Sequence, residues 1–246
     1  MITIDKNNYL EHINAPWDGE PLGLSAQNIV DFVADTEENA NILVDLFDIA
    51  YRKTHYSSIR IDSRDILQAK ALGRAGYHMT EVVMKVTGVL SKINLDTSQF
   101  SKFSFELASP EDYNHITEYS IKYFDHGKFH EDPLISRKAA NLRNTNMVKD
   151  LTSSYTTHVG RVGSNILGFM ILDCNNDSIE LLLGGIHPDY RHLSYAFWNR
   201  VFYEYKSKGV KKVTTTISAA NIPVVNLYSR LGFKFNQSLY GFRKFR

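Results

Sequence analysis

The chain reads as an α/β protein, and three observations carry that reading. Short apolar strands alternate with amphipathic helices along its length. One strand, Ile179 to Ile186, is too apolar for an exposed edge and belongs at the centre of a sheet. A strand–helix–strand unit also occurs twice. Ile59-Arg60-Ile61-Asp62, a helix and Ala75-Gly76-Tyr77 mirror Val213 to Ile217, a helix and Leu231-Gly232-Phe233.

In the first region, the spacing predicts a strand over Ile29–Val33 and a helix over Glu37–Tyr51. The helix carries Ala40, Leu43, Val44, Phe47 and Ala50 at helical period. A strand over Ser58–Asp62, a helix over Ile66–Ala75 stopped by Gly76, and a strand over Glu81–Thr87 follow. Registered by Gly76 and Gly232, Leu72 falls where Tyr228 stands, so the first copy lacks that hydroxyl. The alternative reading is chance similarity between two strand–helix–strand units. Ser91 to Ser101 is polar and reads as a linker, dividing the chain into regions 1–96 and 97–246.

The second region opens on a strand, Phe103–Leu107. A helix follows over Pro110–Phe124, with Ser109 ahead of Pro110 as its cap. After an irregular segment comes a helix over Ser136–Leu151. Two strands, Ser154–Val162 and Ile166–Asp173, form a hairpin around Gly163-Ser164-Asn165. Beyond the central strand, Gly184 and Gly185 suit a bulge or a close approach, and a helix runs from Arg191 to about Lys206. A β-branched strand spans Val210–Ser218, Asn221 caps the next helix, and one or two strands finish the chain.

Composition narrows the function. The 246 residues hold 43% hydrophobic and 12% aromatic side chains, enough for a substantial core. A net charge of +1, with basic residues dispersed, argues against nucleic acid as the main partner. Cys174 is the single cysteine, so no intrachain disulfide forms and a reducing compartment is expected. No run approaches a membrane span and the start lacks a signal peptide's apolar region, so a cytoplasmic protein is expected.

Two blocks carry a family resemblance. Gly184-Gly185-Ile186-His187-Pro188-Asp189-Tyr190-Arg191-His192-Leu193-Ser194-Tyr195-Ala196 contains Arg191-x-x-Ser194-x-Ala196. It resembles the acyl-coenzyme A motif Q/R-x-x-G-x-G/A of the GCN5-related N-acetyltransferases (GNATs), with serine for the first glycine. Asn221-Ile222-Pro223-Val224-Val225-Asn226-Leu227-Tyr228-Ser229-Arg230-Leu231-Gly232-Phe233 is similar to the family's N-x-x-A-x-x-L-Y-x-x-x-G-F block. The resemblance implies the acyl-CoA N-acyltransferase fold: a mixed, splayed β-sheet with helices on both faces. A partial, degenerate GNAT-like half would precede it. It also implies acyl-coenzyme A as co-substrate, either acetyl-CoA or 3-hydroxybutanoyl-CoA, and no metal.

Acyl transfer from a thioester needs a neutral amine, donors for the oxyanion and a proton for the departing thiolate. The resemblance makes Tyr228 the acid. Glu180 is a base, or a solvated residue at a strand start. A backbone N–H near Gly185, Ile186 or His187 is the oxyanion donor. A helix mouth is an anion site, so Arg191, His192, Leu193, Ser194, Tyr195 and Ala196 hold the pyrophosphate. Asn221 and Asn226 hydrogen-bond the rest of the coenzyme, although Asn221 is equally a plain helix cap.

The acceptor is less determined. Pro16-Trp17-Asp18-Gly19-Glu20-Pro21-Leu22-Gly23 resembles a P-W-D/E-S-E-F-F-G element of sugar-nucleotide N-acyltransferases, departing at Gly19, Pro21 and Leu22. That resemblance implies a dTDP-linked amino deoxysugar as acceptor, used in surface polysaccharide synthesis, and a homodimer. Trp17, Asp18 and Glu20, with His126, Lys128, Phe129 and His130, are the substrate candidates. His126, His130 and Asp132 also invite a metal reading, against which Gly127 and Pro133 break the helical spacing. A different amine acceptor, or a non-catalytic acyl-CoA-binding module, remains the rival reading.

Overall fold

The computed structural model describes residues 1–246. Eleven strands form one sheet. The first region contributes β1 (Ile2–Asp5), β2 (Asn8–Asn14), helix α1 (Pro16–Leu22), β3 (Ala26–Val33), α2 (Glu37–Ala50), β4 (Tyr56–Asp62), α3 (Ile66–Arg74) and β5 (His78–Val89). The second contributes β6 (Ser104–Leu107), α4 (Pro110–Tyr123), α5 (Arg137–Ser154), β7 (Thr156–Val162), β8 (Asn165–Cys174) and β9 (Ser178–Ile186). It ends with α6 (Ser194–Ser207), β10 (Lys212–Ser218), α7 (Ile222–Arg230) and β11 (Lys234–Phe245). The order across the sheet is β1-β2-β3-β4-β11-β5-β10-β9-β8-β7-β6.

Strand alternation sends side chains to two helical layers. Phe169 and Ile171 pack with Ile116 of α4 and Val148 of α5, whereas Met170 and Leu172 join the core under α6 and α7. In the first region, Ile59 and Ile61 pack under α2 and α3, whereas Tyr56 meets Ala139 and Ala140 of α5. One face therefore carries α2, α3, α6 and α7, and the other α4 and α5, with α1 packed against α5. The predicted elements appear with small shifts at their ends. β1, β2 and α1 were not predicted, and the chain finishes on one long strand.

The internal repeat extends further than the sequence indicates. β3 and β4 pair in parallel until Ile29↔Ile59; β9 and β10 do so until Leu181↔Thr215. The next residue of each first strand, Val30 or Leu182, is the extra residue of a β-bulge against the preceding antiparallel strand. Beyond these points the parallel ladders end and each pair diverges. α3 and α7 then close on glycines of left-handed φ, +82° at Gly76 and +78° at Gly232. The two regions share their central strands. β5 pairs with both β10 and β11, and β11 lies between β5 and β4. Each strand–helix–strand unit thus sends its last strand to the middle of the sheet.

The expected linker, Ser91 to Ser101, is packed: Ile93 is buried in the core under α6 and Leu95 lies against it. The segment after α4 is also tied down. Asp132 accepts from Arg243 of β11 at 2.5 and 3.0 Å, with both residues buried. No helix is long and apolar enough to cross a membrane.

Candidate active site

The site is built around the divergence of β9 and β10. Thr215 Oγ1 donates to Leu181 O at 2.8 Å, tying the strands at their last paired position. From Leu182 onward the β10-facing side of β9 has no ladder partner. The bulge is at Leu182, not at the expected Gly184–Gly185. Those glycines pair regularly with Met170 and Phe169. Side chains approach them: a Cβ at Gly184 would lie 2.7 Å from Met170 Sδ, and one at Gly185 2.7 Å from the Tyr119 ring.

This settles which amide faces the opening. His187 N–H donates to Leu167 O at 2.7 Å and is occupied within the β8 ladder. The alternation of an antiparallel ladder then turns Gly185 N–H to β8 as well, and leaves Gly184 and Ile186 N–H facing the divergence. Of the three expected amides, only that of Ile186 faces the opening; those of Gly185 and His187 face β8. The His187 ring lies elsewhere, in a separate cleft of about 550 Å³ with Tyr119 and Tyr123.

Downstream of β9 the chain does not enter the helix at once. Pro188–Leu193 is a 3₁₀ turn, and α6 begins at Ser194. Arg191 and His192 are therefore exposed turn residues ahead of the helix, and Leu193 and Ala196 are buried beneath it. No side chain caps α6, although the Ser194 N–H is already taken by Arg191 O of the 3₁₀ turn. Ser194 has φ −56° and ψ −45°, ordinary helical values that need no glycine. Tyr195 lies 4.0 Å under the guanidinium of Arg230 from α7. Arg230 is a cation at this mouth that the motif reading missed. The equivalent mouth in the first region is unlike it. There Thr36 caps α2 by accepting from Asn39 N, and Glu37 and Glu38 stand in the first turn. Negative charge and a filled cap exclude an anion there, whereas the α6 mouth fits one.

Tyr228 is interior. It is 3% exposed, packs edge-on against Phe233 and accepts a 3.1 Å hydrogen bond from Trp198 Nε1. Thr215 lies against the same hydroxyl, which places it at the apex of the divergence, under the sheet, rather than in an open cleft. Burial pushes the phenol up to about 12, only partly offset by Trp198 and Thr215. Glu180 does not serve as a buried base. It is exposed and sits within the paired stretch opposite Thr214, before the strands part. Asn221 caps α7 by accepting from Val224 N, and Asn226 is exposed on that helix.

The carboxylate beside the end of β10 is Glu131. Its Oε1 accepts from Ser218 Oγ at 2.6 Å and from Gly127 N at 3.0 Å, and His126 Nδ1 lies 3.5 Å away. No spacing in the sequence pairs Glu131 with Ser218. His130 instead meets Asn141 at 3.3 Å, its imidazole held low by burial. His126, His130 and Asp132 thus turn to three different partners, Glu131, Asn141 and Arg243.

A second cleft, of about 330 Å³, opens on the α5 face and is walled by β3, β4, β5 and β11. Trp17 stands at its rim, 43% exposed. Asp18 is fully buried and holds Lys128 and Arg143, the latter at 2.7 Å. Lys128 Nζ also donates to Ser58 Oγ at 3.3 Å. Burial lowers the Lys128 ammonium, with Asp18 opposing. Phe129 is not a lining residue: it is 2% exposed, edge-on to Tyr56 and beneath Arg143. Glu20 is exposed outside the cleft. Of the predicted acceptor residues, Trp17, Asp18 and Lys128 come together, and Phe129, Glu20, His126 and His130 do not line this cleft.

A parallel pair diverging after a bulge, with an uncapped helix mouth beyond it, decides the fold. This is the fold of the GCN5-related N-acetyltransferases. A GNAT from Sphaerobacter thermophilus superposes on 97% of this chain and 76% of its own with TM-score 0.68 at 13% identity. A tandem GNAT protein from the clavulanic acid biosynthesis pathway covers 89% of this chain and 75% of its own, with TM-score 0.57 at 9% identity. In sequence, the Bacillus subtilis spore coat polysaccharide biosynthesis protein SpsD is 23% identical over 238 residues. That match spans 91% of this chain and 79% of SpsD. No family model matches the chain. The GNAT fold accounts for the mixed sheet and its two helical layers.

Proposed function

We propose that the protein is an acyl-CoA-dependent N-acyltransferase whose acceptor is the amino group of a dTDP-linked amino deoxysugar. The observation that carries this is the divergence of β9 and β10 after Leu181 and Thr215, leading to the uncapped mouth of α6. The second region would bind the coenzyme. The first, a degenerate copy with an acidic and capped helix mouth, would wall the acceptor cleft. The polysaccharide role printed for SpsD supports a sugar acceptor.

Acyl-CoA supplies an activated thioester. The first-turn amides of α6 beyond Ser194, with Arg191, His192 and Arg230 beside them, hold the diphosphate. Ile186 N–H, unpaired on the β10 side, stabilises the oxyanion formed by direct attack of the amine. Glu131, at the end of β10, takes the amine's proton, directly or through Ser218. Tyr228 faces the departing thiolate. Pushed up to about 12, its phenol is a weaker acid than an ordinary thiol of about 8.5, so it stabilises the thiolate by donating a hydrogen bond. Trp198 occupies an acceptor lone pair of that hydroxyl, and Thr215 Oγ1, whose own proton goes to Leu181 O, competes with the thiolate for the phenol's proton.

The test is turnover with acetyl-CoA and 3-hydroxybutanoyl-CoA against a panel of dTDP-linked amino sugars. Acylated product with at least one pair is expected; none with any pair overturns the acceptor assignment. Glu131→Gln should lower kcat at neutral pH and leave acyl-CoA affinity unchanged, and an unaltered kcat removes it as the base.

A further inference from the structure

The acceptor cleft contains a buried carboxylate oxygen that the protein leaves without a partner. Glu81 of β5 lines the cleft and is 4% exposed. Its Oε1 accepts from Arg60 Nε at 2.8 Å, whereas its Oε2 has no hydrogen bond. A buried acceptor left unpaired is destabilising, so the fold carries this oxygen at a loss unless something donates to it. The surroundings are shaped to admit it. Gly241, directly opposite on β11, leaves room that no other residue would: a Cβ there would lie 2.4 Å from Glu81 Cγ and 2.8 Å from Oε1.

Charge narrows the partner. Arg60 already balances Glu81, which favours a neutral donor over a second cation. Around the rest of the cleft, Lys128 and Arg143 share the single carboxylate of Asp18. That side is cationic, and Lys128 meets Ser58 of β4, with β11 between β4 and the β5 strand of Glu81.

Building on the acceptor reading above, we propose that Glu81 Oε2 receives a sugar hydroxyl of the acceptor. Lys128 and Arg143 would lie toward its phosphate end, so Glu81 sets which polyhydroxylated, phosphate-bearing acceptors enter. The first region then contributes substrate recognition through a strand residue that neither family-like block contains.

Glu81→Gln tests this closely. Its amide oxygen must turn to Arg60, which presents NH2 where the hydroxyl would donate and replaces an acceptor by a donor. Gly241→Ala is the second variant, since it displaces Glu81 without changing its chemistry. In kinetics with a dTDP-linked amino sugar that the wild type acylates, both variants should raise acceptor KM about ten-fold or more. The KM for acyl-CoA should stay unchanged and kcat within about three-fold. A merely structural role would move stability, kcat or both KM values together. Unchanged acceptor KM in Glu81→Gln overturns the proposal. If the wild type acylates none of the panel, the acceptor assignment fails by itself. Calorimetric titration of the same dTDP-amino sugars into wild type and Glu81→Gln then decides Glu81. Binding weakened in the variant supports it, and equal binding, or none to wild type, overturns it.

Discussion

Trp198 Nε1 donates to the Tyr228 hydroxyl at 3.1 Å, joining the helix that follows the central strand to the helix that carries the phenol. Trp198 is two residues beyond Ala196, so the mouth of α6 and the Tyr228 phenol belong to one packed unit. Tyr228→Phe should therefore lower kcat by roughly ten-fold or more while leaving acyl-CoA affinity within about two-fold. Trp198→Phe, which keeps the packing and removes only the donor, should have a smaller effect on kcat. Stopped-flow and steady-state rates check both. A Tyr228→Phe enzyme of normal kcat would show that the phenol is structural.

Alkaline pH should unfold the protein early. Burial pushes Tyr77, Tyr119 and Tyr228 up to about 12. Phenols bound more tightly to their protons in the folded state contribute stability that is fully present below their unfolded value of about 10. That stability declines as pH rises from there through about 12. Thermal melts between pH 9 and pH 12 should show Tm flat at first and then falling. A Tm constant to pH 12 would contradict the burial of these rings.

The mouth of α6 predicts a modest, salt-sensitive electrostatic term. Arg191 is exposed, so Arg191→Ala should weaken coenzyme A binding by about two- to five-fold, the size of one charge at a helix terminus. The loss should shrink at high ionic strength. Ser194→Gly restores the family glycine, yet Ser194 already has helical angles. That change should alter coenzyme affinity by less than about three-fold and cost up to about 1 kcal/mol of stability. Calorimetry and denaturant titration separate the two effects.

Asp132 and Arg243 form a buried pair within the second region, tying the segment after α4 to β11. Removing one partner strands the other, so Asp132→Asn should destabilise the protein by about 3–5 kcal/mol. Replacing both with apolar residues of similar size should recover much of that. Urea midpoints of the two single variants and the double variant measure it; additive losses would show that the groups act independently.

Much of this was legible in the chain. The run from Ile179 to Ile186 and the Arg191–Ala196 block place the central strand and the helix mouth because both signals are local. The glycines suited a bulge or a close approach, and the structure has the close approach there; the bulge lies at Leu182, next to the last residue paired with β10, which only the tertiary register shows. β1 and β2 were missed because their residues are mostly polar, and they are held by β3 rather than by their own pattern. The strand position of Glu180 fits a base or a solvated residue, and it is the exposed one; nothing local in the sequence marks Glu131. The bond from Ser218 to Glu131 joins residues 87 positions apart, and no periodicity records it. The pairing of β5 with β10 is likewise a product of tertiary arrangement, since one apolar strand does not name its neighbour.

The most direct measurement is a crystal structure with coenzyme A and dTDP. The account predicts the pantetheine arm between β9 and β10 past Leu181 and Thr215, and the diphosphate on the first-turn amides of α6. The thiol should lie within reach of the Tyr228 hydroxyl, and dTDP in the cleft with Trp17, Lys128 and Glu81. Coenzyme A lodged away from Arg191–Ala196, or a Tyr228 hydroxyl still sealed beneath Trp198 with the thiol elsewhere, would contradict it.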